Sequence, residues 1–454
     1  MDVFYGIGEL YVVAKILFWF LTAGVLLLPF RWGLLCLVVM MQVDVSAPEF
    51  VGTASVGWEN AAKAIVLPAL MLFWLAPRGA THSVPTLPAR LWFGLVIYVA
   101  VAGLWSPHKL AAAKAVAYLV SYVLLFWVFY WGWVRGLLDS VFVSCAIWVS
   151  LLLGCVQSFV MGNRLSYEGR FTSFCWAQAF APGLVSLLAL ALFYRKGKRV
   201  GKVTMACCIA GILMTGSRIS FLGAVWLLLV FWLERALAGK RVTVLRLGRS
   251  LSFAAVAVLA LCATILYVAP TNRLSELLLL GSSDYESLND IGTAAARLMT
   301  YQEVLSAVSS RGMGASIFGS GTATGGDLVV RGDLSTTIGF RGDDFVDPNR
   351  SLNSDILRAL YEWGISGLLL GLVLVTILLL WAWRLAMQQR LLSGFALVGI
   401  APLIFLGLCF DNVLADSTTP QGVGFALIVS WAFWESRCVR GIEPIQLAEA
   451  PVPA

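Results

Sequence analysis

The sequence predicts an all-α, polytopic integral membrane protein with about 12 or 13 transmembrane helices and one large extracytoplasmic loop between late helices. Three observations carry this expectation. Hydrophobic residues make up 60% of the 454-residue chain, charged residues only 13%, and mean hydropathy is +0.86, whereas soluble domains hold roughly 25% charged residues. Apolar runs of about 20 residues recur along nearly the whole chain, the length that crosses a hydrocarbon core with every backbone polar group bonded inside a helix. Lysine and arginine crowd into alternate short connections, which is the pattern of cytoplasmic loops. The net charge of +7 therefore reports topology and not a nucleic-acid partner.

The elements follow in order. Leu10 to Leu28 holds Lys15 within it and lacks a basic stretch followed by a small-residue cleavage site, so it reads as a retained span and not a signal peptide. Whether Leu10 to Val43 forms one broken span or two, split at Pro29, stays open. Spans are expected near Ala61–Ala76, Leu91–Trp105, Ala112–Trp131, Leu138–Val160 and Ala177–Tyr194, which puts Gly162 to Phe174 outside. The connections Arg195 to Lys202 and Glu234 to Arg249 are strongly basic and hence cytoplasmic. Between them, Val203 to Leu233 fits two short spans with an outer turn at Thr215-Gly216-Ser217-Arg218. Leu251 to Ala269 then exits, and Leu357 to Trp383 returns to Arg384 and Arg390. Leu391 to Phe410 exits again, Asp411 to Gln421 is an outer turn, and the last span ends inside near Arg437 and Arg440. The chain thus divides into N-terminal spans over 1–269, the large loop over 270–352, C-terminal spans over 353–440 and a cytoplasmic tail over 441–454.

A loop of roughly 80 residues exceeds the usual helix–helix connection, and long loops commonly carry function. Gly312, Gly314, Gly319, Gly321, Gly325 and Gly326 make it either flexible or tightly turned. It holds six arginines (Arg273, Arg297, Arg311, Arg331, Arg341 and Arg350) and no lysine. A guanidinium grips phosphate or carboxylate through two parallel bonds, which an ammonium does not. The alternative is a solvated loop whose arginines pair with its ten acids.

Metal chemistry finds little footing. The nine cysteines show no CxxC spacing, and both histidines, His82 and His108, lie outside the loop. Asp343, Asp344 and Asp347 cluster but lack the spacing and terminal glutamate of a calcium loop. Tryptophans such as Trp19, Trp32, Trp74, Trp92, Trp105 and Trp131 fall at span ends as interfacial anchors.

Three stretches, taken in order, resemble the O-antigen ligase and polymerase family of bacterial surface-polysaccharide enzymes. Leu213-Met214-Thr215-Gly216-Ser217-Arg218-Ile219-Ser220 resembles that family's outer "TGSR" turn. Arg297-Leu298-Met299-Thr300-Tyr301, followed by Gly312-Met313-Gly314 through Gly321, looks like its arginine-bearing helix and the glycine-rich start of its large loop. Asn353-Ser354-Asp355-Ile356-Leu357-Arg358, then Tyr361-Glu362-Trp363-Gly364, is similar to its "HN-x-x-L-x-x-x-x-E-x-G" signature. Arg170, in Gly169-Arg170-Phe171-Thr172-Ser173, resembles a further arginine turn, with Ser173 where the family has glycine. Asp411-Asn412 also looks family-like, though a helix-ending turn explains it as well.

The resemblance implies a GT-C-like architecture and metal-independent, cofactor-free glycosyl transfer at the outer face of the cytoplasmic membrane. The donor would be a glycan linked through diphosphate to a polyprenol. The acceptor would be another lipid-linked glycan for a polymerase, or lipid A core for a ligase, with other polysaccharide assembly proteins as candidate partners. Breaking the anomeric C–O bond builds negative charge on the departing diphosphate, which fixed guanidinium groups stabilise. Arg218 is the first candidate for this role and Arg297 the second, with Arg170 and Asn353 as further substrate-binding candidates. The competing reading of Arg218 is a side chain snorkelling to the interface.

Ligases of the family carry a histidine where this chain has Asn353, and an amide cannot accept the acceptor's proton. Asp355 and Glu362 are the nearest carboxylates, and seven residues apart they share one helix face. Asp355 either acts as the base or simply favours a helix N-terminus. Glu362 either joins it or bonds across helices. Polymerisation is the preferred expectation, with a ligase or a transporter of lipid-linked sugars as alternatives. A transporter would more often show broken helices in two related halves, and no internal repeat is seen.

Overall fold

The computed structural model describes residues 2–43, 58–77, 87–161, 171–175, 177–194, 200–238, 301–302, 304–325, 354–410 and 419–439. Among these the chain is all-helical, without strands. Five helices are long and apolar enough to cross a membrane by length and composition, and six apolar helices of 10–17 residues accompany them. The 12 or 13 expected spans refer to the whole chain, and one of them, 251–269, lies outside the described residues.

In chain order the helices are α1 (Asp2–Leu27), α2 (Phe30–Met40), α3 (Trp58–Ala61), α4 (Leu67–Leu75), α5 (Leu87–Ala102), α6 (Lys109–Val134) and α7 (Ser140–Cys155). There follow α8 (Ala177–Phe193), α9 (Lys202–Met214), α10 (Arg218–Ala238), α11 (Met313–Phe318), α12 (Asp355–Glu362), α13 (Gly364–Met387), α14 (Leu392–Phe410) and α15 (Pro420–Val439). π-helical turns at Ala62–Val66 and Val156–Val160 lead into α4 and extend α7.

Pro29 ends α1, because proline has no N–H to donate and pushes the preceding residue out of the helical region. The chain then doubles back: Gly24 of α1 faces Cys36, and Gly33 lies against the Val25 carbonyl. The N-terminal stretch is therefore a helix followed by a half-helix, since α2 has 11 residues and spans about 16 Å. The buried backbone carbonyls just past its C-terminus find donors inside the bundle, as backbone in a membrane must. Lys63 Nζ donates to the Val43 carbonyl at 3.0 Å and Ser173 Oγ to that of Gln42 at 3.2 Å.

The core centres on α8, whose residues from Phe180 to Phe193 are nearly all buried. Small residues let its backbone approach α15: Gly183 sits against Pro420 and Gly424 against Ser186. Packing of this kind holds helices together where lipid offers no hydrophobic drive. Helices α5, α13, α14, α15 and α6 close a ring, each packed on the next and α6 returning to α5.

One expected span is corrected. Leu357 to Trp383 is not one helix, because α12 ends at Glu362 and α13 starts after Trp363 at Gly364, whose φ of +67° suits glycine. A Cβ at Gly364 would stand 2.3 Å from the Ile317 carbonyl oxygen, so the break is also a point of close approach.

Candidate functional site

The site assembles around α12. Ser354 caps this helix by accepting from the Leu357 N–H at 3.3 Å, and its hydroxyl donates to the Leu408 carbonyl at 3.3 Å. Tyr301, in the helical stretch that covers 301–302 and 304–309, donates its hydroxyl to the Cys409 carbonyl at 2.6 Å. The start of α12, with buried Asp355 in its first turn, is thereby docked on the end of α14.

The opposite wall is fixed by the antiparallel pairing of α10 with α14. Gly223 receives Leu403, and Gly399 receives Leu227, a reciprocal fit that sets the register. Carried upward along both helices, that register puts the backbone of Arg218 level with Leu408, the residue on which Ser354 rests. The turn before Arg218 is built by Gly216 at φ +63° and by Thr215 Oγ1, which accepts from the Ser217 N–H at 3.2 Å. Phe171, the residue after Arg170, donates its backbone N–H to the Met214 carbonyl at 3.2 Å, and its ring packs against Gly154. Two turns singled out by the sequence, around residues 170 and 218, are thus neighbours. Arg170, Arg297 and Asn353 themselves, with Asp411 and Asn412, lie outside the described residues, and Arg218 is described only along its backbone.

The far end of α12 is built differently. Residues 319–325 form a strap across the C-termini of two helices. Ser320 and Gly321 donate backbone N–H groups to the carbonyls of Tyr361 and Glu362 at 3.1 and 2.9 Å. Thr322 Oγ1 donates to Val99 at 2.7 Å and accepts from the Trp363 indole at 3.2 Å. Carbonyls that helices α5 and α12 leave open at their ends therefore gain partners from the strap. Gly319 has φ +80° and lies so close that a Cβ would meet the Glu362 carbonyl oxygen at 2.2 Å. Of the two characters expected for this glycine-rich stretch, the strap shows the tight turn.

Glu362 secures the strap. Its Oε2 accepts from the Ala323 N–H at 2.9 Å and from Arg358 Nε at 3.1 Å, while Oε1 accepts from the Gly325 N–H at 3.1 Å. The side chain is 1% exposed. Ala323 itself holds φ +66°, a conformation that an alanine keeps only when its surroundings impose it. Arg311, one of the loop arginines, stacks over Tyr361 at 3.7 Å and donates to its carbonyl at 3.2 Å. At least one arginine of the loop thus serves attachment.

Arg358 was not among the candidates drawn from the sequence. Its signal was present, since it falls three residues after Asp355 and four before Glu362, the spacing of helix neighbours. All three side chains are buried. No group of three or more His, Cys, Asp or Glu that could hold a metal occurs among the described residues. The arrangement offers a saturated carboxylate at one end of α12. At the other end it offers a buried aspartate at a helix N-terminus, docked on α14 at the level of the turn before Arg218. Compared with known proteins, the chain matches no family model and no curated protein.

Proposed function

We propose that this protein is a membrane glycosyltransferase that polymerises polyprenyl-diphosphate-linked oligosaccharides into a surface polysaccharide, acting at the outer face of the cytoplasmic membrane. The observation that supports this best is the register of α10 against α14, which sets the Arg218 turn level with the start of α12 and Asp355. A lipid-borne diphosphate lies at such a membrane boundary, and guanidinium groups there stabilise it as it leaves. In the proposed step the acceptor hydroxyl oxygen attacks the anomeric carbon. The bond from that carbon to the diphosphate breaks, and polyprenyl diphosphate departs with the electron pair. Asp355 takes the hydroxyl proton, a role that Asn353 cannot fill. Glu362, held by three donors, keeps the strap in place.

The experiment is incubation of the purified protein in lipid with a matching polyprenyl-diphosphate oligosaccharide, alongside Arg218→Ala. A ladder of longer lipid-linked glycans is expected, with a loss of at least about a hundredfold in the variant. Transfer only to added lipid A core would point to a ligase instead. A second reading, transport of lipid-linked sugars, draws on half-helix α2, which ends inside the bundle beside Lys63 in a π-helical turn. No consumption of a verified donor would favour it.

A further inference from the structure

The five-helix ring formed by α5, α13, α14, α15 and α6 encloses space that its side chains do not fill. A half-open cavity of about 160 Å³ lies at its centre, lined by residues such as Trp92, Phe126, Gly371, Leu378 and Val429. No charged side chain contributes to its lining. An apolar void of this size inside a membrane protein is open to hydrocarbon and not to water, because water there would lack polar partners.

The two ends of the ring are unlike. Toward the strap the void is closed: Leu95 and Leu374 of its lining pack into a buried cluster with Val99, Ala102, Leu119, Ala359 and Trp363. Trp363 is in turn tied to Thr322 of the strap. At the opposite end, the helices carry arginines. Arg90 follows Ala89 of the lining, and Arg135 ends α6. Arg384 lies one turn beyond Trp381 of the lining and is exposed, and Arg390 lies two residues before α14. Arg437 stacks at 5.7 Å on Phe433, which also lines the void.

From this asymmetry we propose that the ring is a binding site for an anionic phospholipid of the leaflet at its arginine end. Part of one acyl chain would fill the void, and the headgroup phosphate would rest on Arg384 and Arg437. The plugged strap end decides the direction of entry, since a lipid whose head lay on the strap side would have to thread its tail through the Trp363 cluster. The site is therefore separate from the candidate catalytic site and does not depend on the proposed function. The arginines select the headgroup, each guanidinium near a membrane surface favouring an anionic lipid by about fivefold.

The glycines provide the test. A Cβ at Gly371 would meet no heavy atom within 4 Å, so Gly371→Leu would grow into the void without a clash. Gly94 of α5 is equally open but lies outside the lining, so Gly94→Leu is the control. The whole protein would be exchanged into nanodiscs of mixed phosphatidylglycerol and phosphatidylethanolamine, then released and weighed by native mass spectrometry. The expected result is about one retained phosphatidylglycerol per wild-type and Gly94→Leu chain, and a loss of about tenfold in Gly371→Leu. Arg384→Gln combined with Arg437→Gln should keep an adduct but lower its preference for phosphatidylglycerol by about 25-fold. That double variant decides the matter if Gly371→Leu fails to fold. Retention unchanged in both variants, a purely zwitterionic adduct, or a polyprenyl compound in the void would each overturn the proposal.

Discussion

The two ends of α12 carry the two carboxylates that the sequence marks as a pair, and the fold places them in contrasting surroundings. At the C-terminal end Glu362 is enclosed by two strap N–H groups and the Arg358 guanidinium. At the N-terminal end Asp355 begins a helix docked on the Leu408 and Cys409 carbonyls through Ser354 and Tyr301, level with the Arg218 turn. Seven residues on one helix face separate an acid that ties the strap to α12 from one that the proposed function makes the base. Shared face and shared charge do not imply shared work. What marks the Glu362 end is that three donors hold its buried carboxylate against the strap.

The largest expected effect falls on the Glu362 end. Glu362→Ala removes the acceptor of two strap N–H groups and of Arg358 Nε, and breaking such a buried pair costs about 3–5 kcal/mol. Thermal unfolding in detergent should show the loss, and limited proteolysis should cut within 319–325 in the variant alone. An unchanged strap would erase the contrast between the two ends.

Asp355→Asn tests the other end. If Asp355 is the base, transfer should fall by about 10²- to 10⁴-fold in variant protein that is still folded by thermal unfolding. Full activity in the ladder assay would leave Asp355 as a helix-start acid favoured by the macrodipole. The smallest effect is expected for Ser354→Ala, where loss of the cap costs about 1 kcal/mol. Because Ser354 also rests on Leu408, this variant should lower turnover more than its stability cost explains. Equal losses in both would show that docking of α12 on α14 does not position Asp355.

Much of the architecture is legible along the chain. The apolar runs of α6, α7, α10 and α14 coincide closely with expected spans, because crossing hydrocarbon demands length and hydropathy that neighbours in sequence supply. The turn at Thr215 to Ser217 is equally visible, since Gly216 provides the positive φ it needs. The half-helix α2 was less so. Pro29 announces a break, but the buried chain just past α2 depends on Lys63 and Ser173, which lie elsewhere in the sequence and satisfy the Val43 and Gln42 carbonyls.

By itself, then, the sequence determined the class of protein, most helix positions and the candidate residues, all of which rest on composition and local spacing. Only the tertiary structure decided that α12 breaks from α13, that the glycine-rich stretch is a strap, and that Arg358 belongs to the same buried group as Glu362. It also decided which turns meet at the candidate site. The physical reason is that hydropathy is summed along a segment, whereas the fate of a buried charge or an open carbonyl is settled by whichever distant donor the packing brings to it.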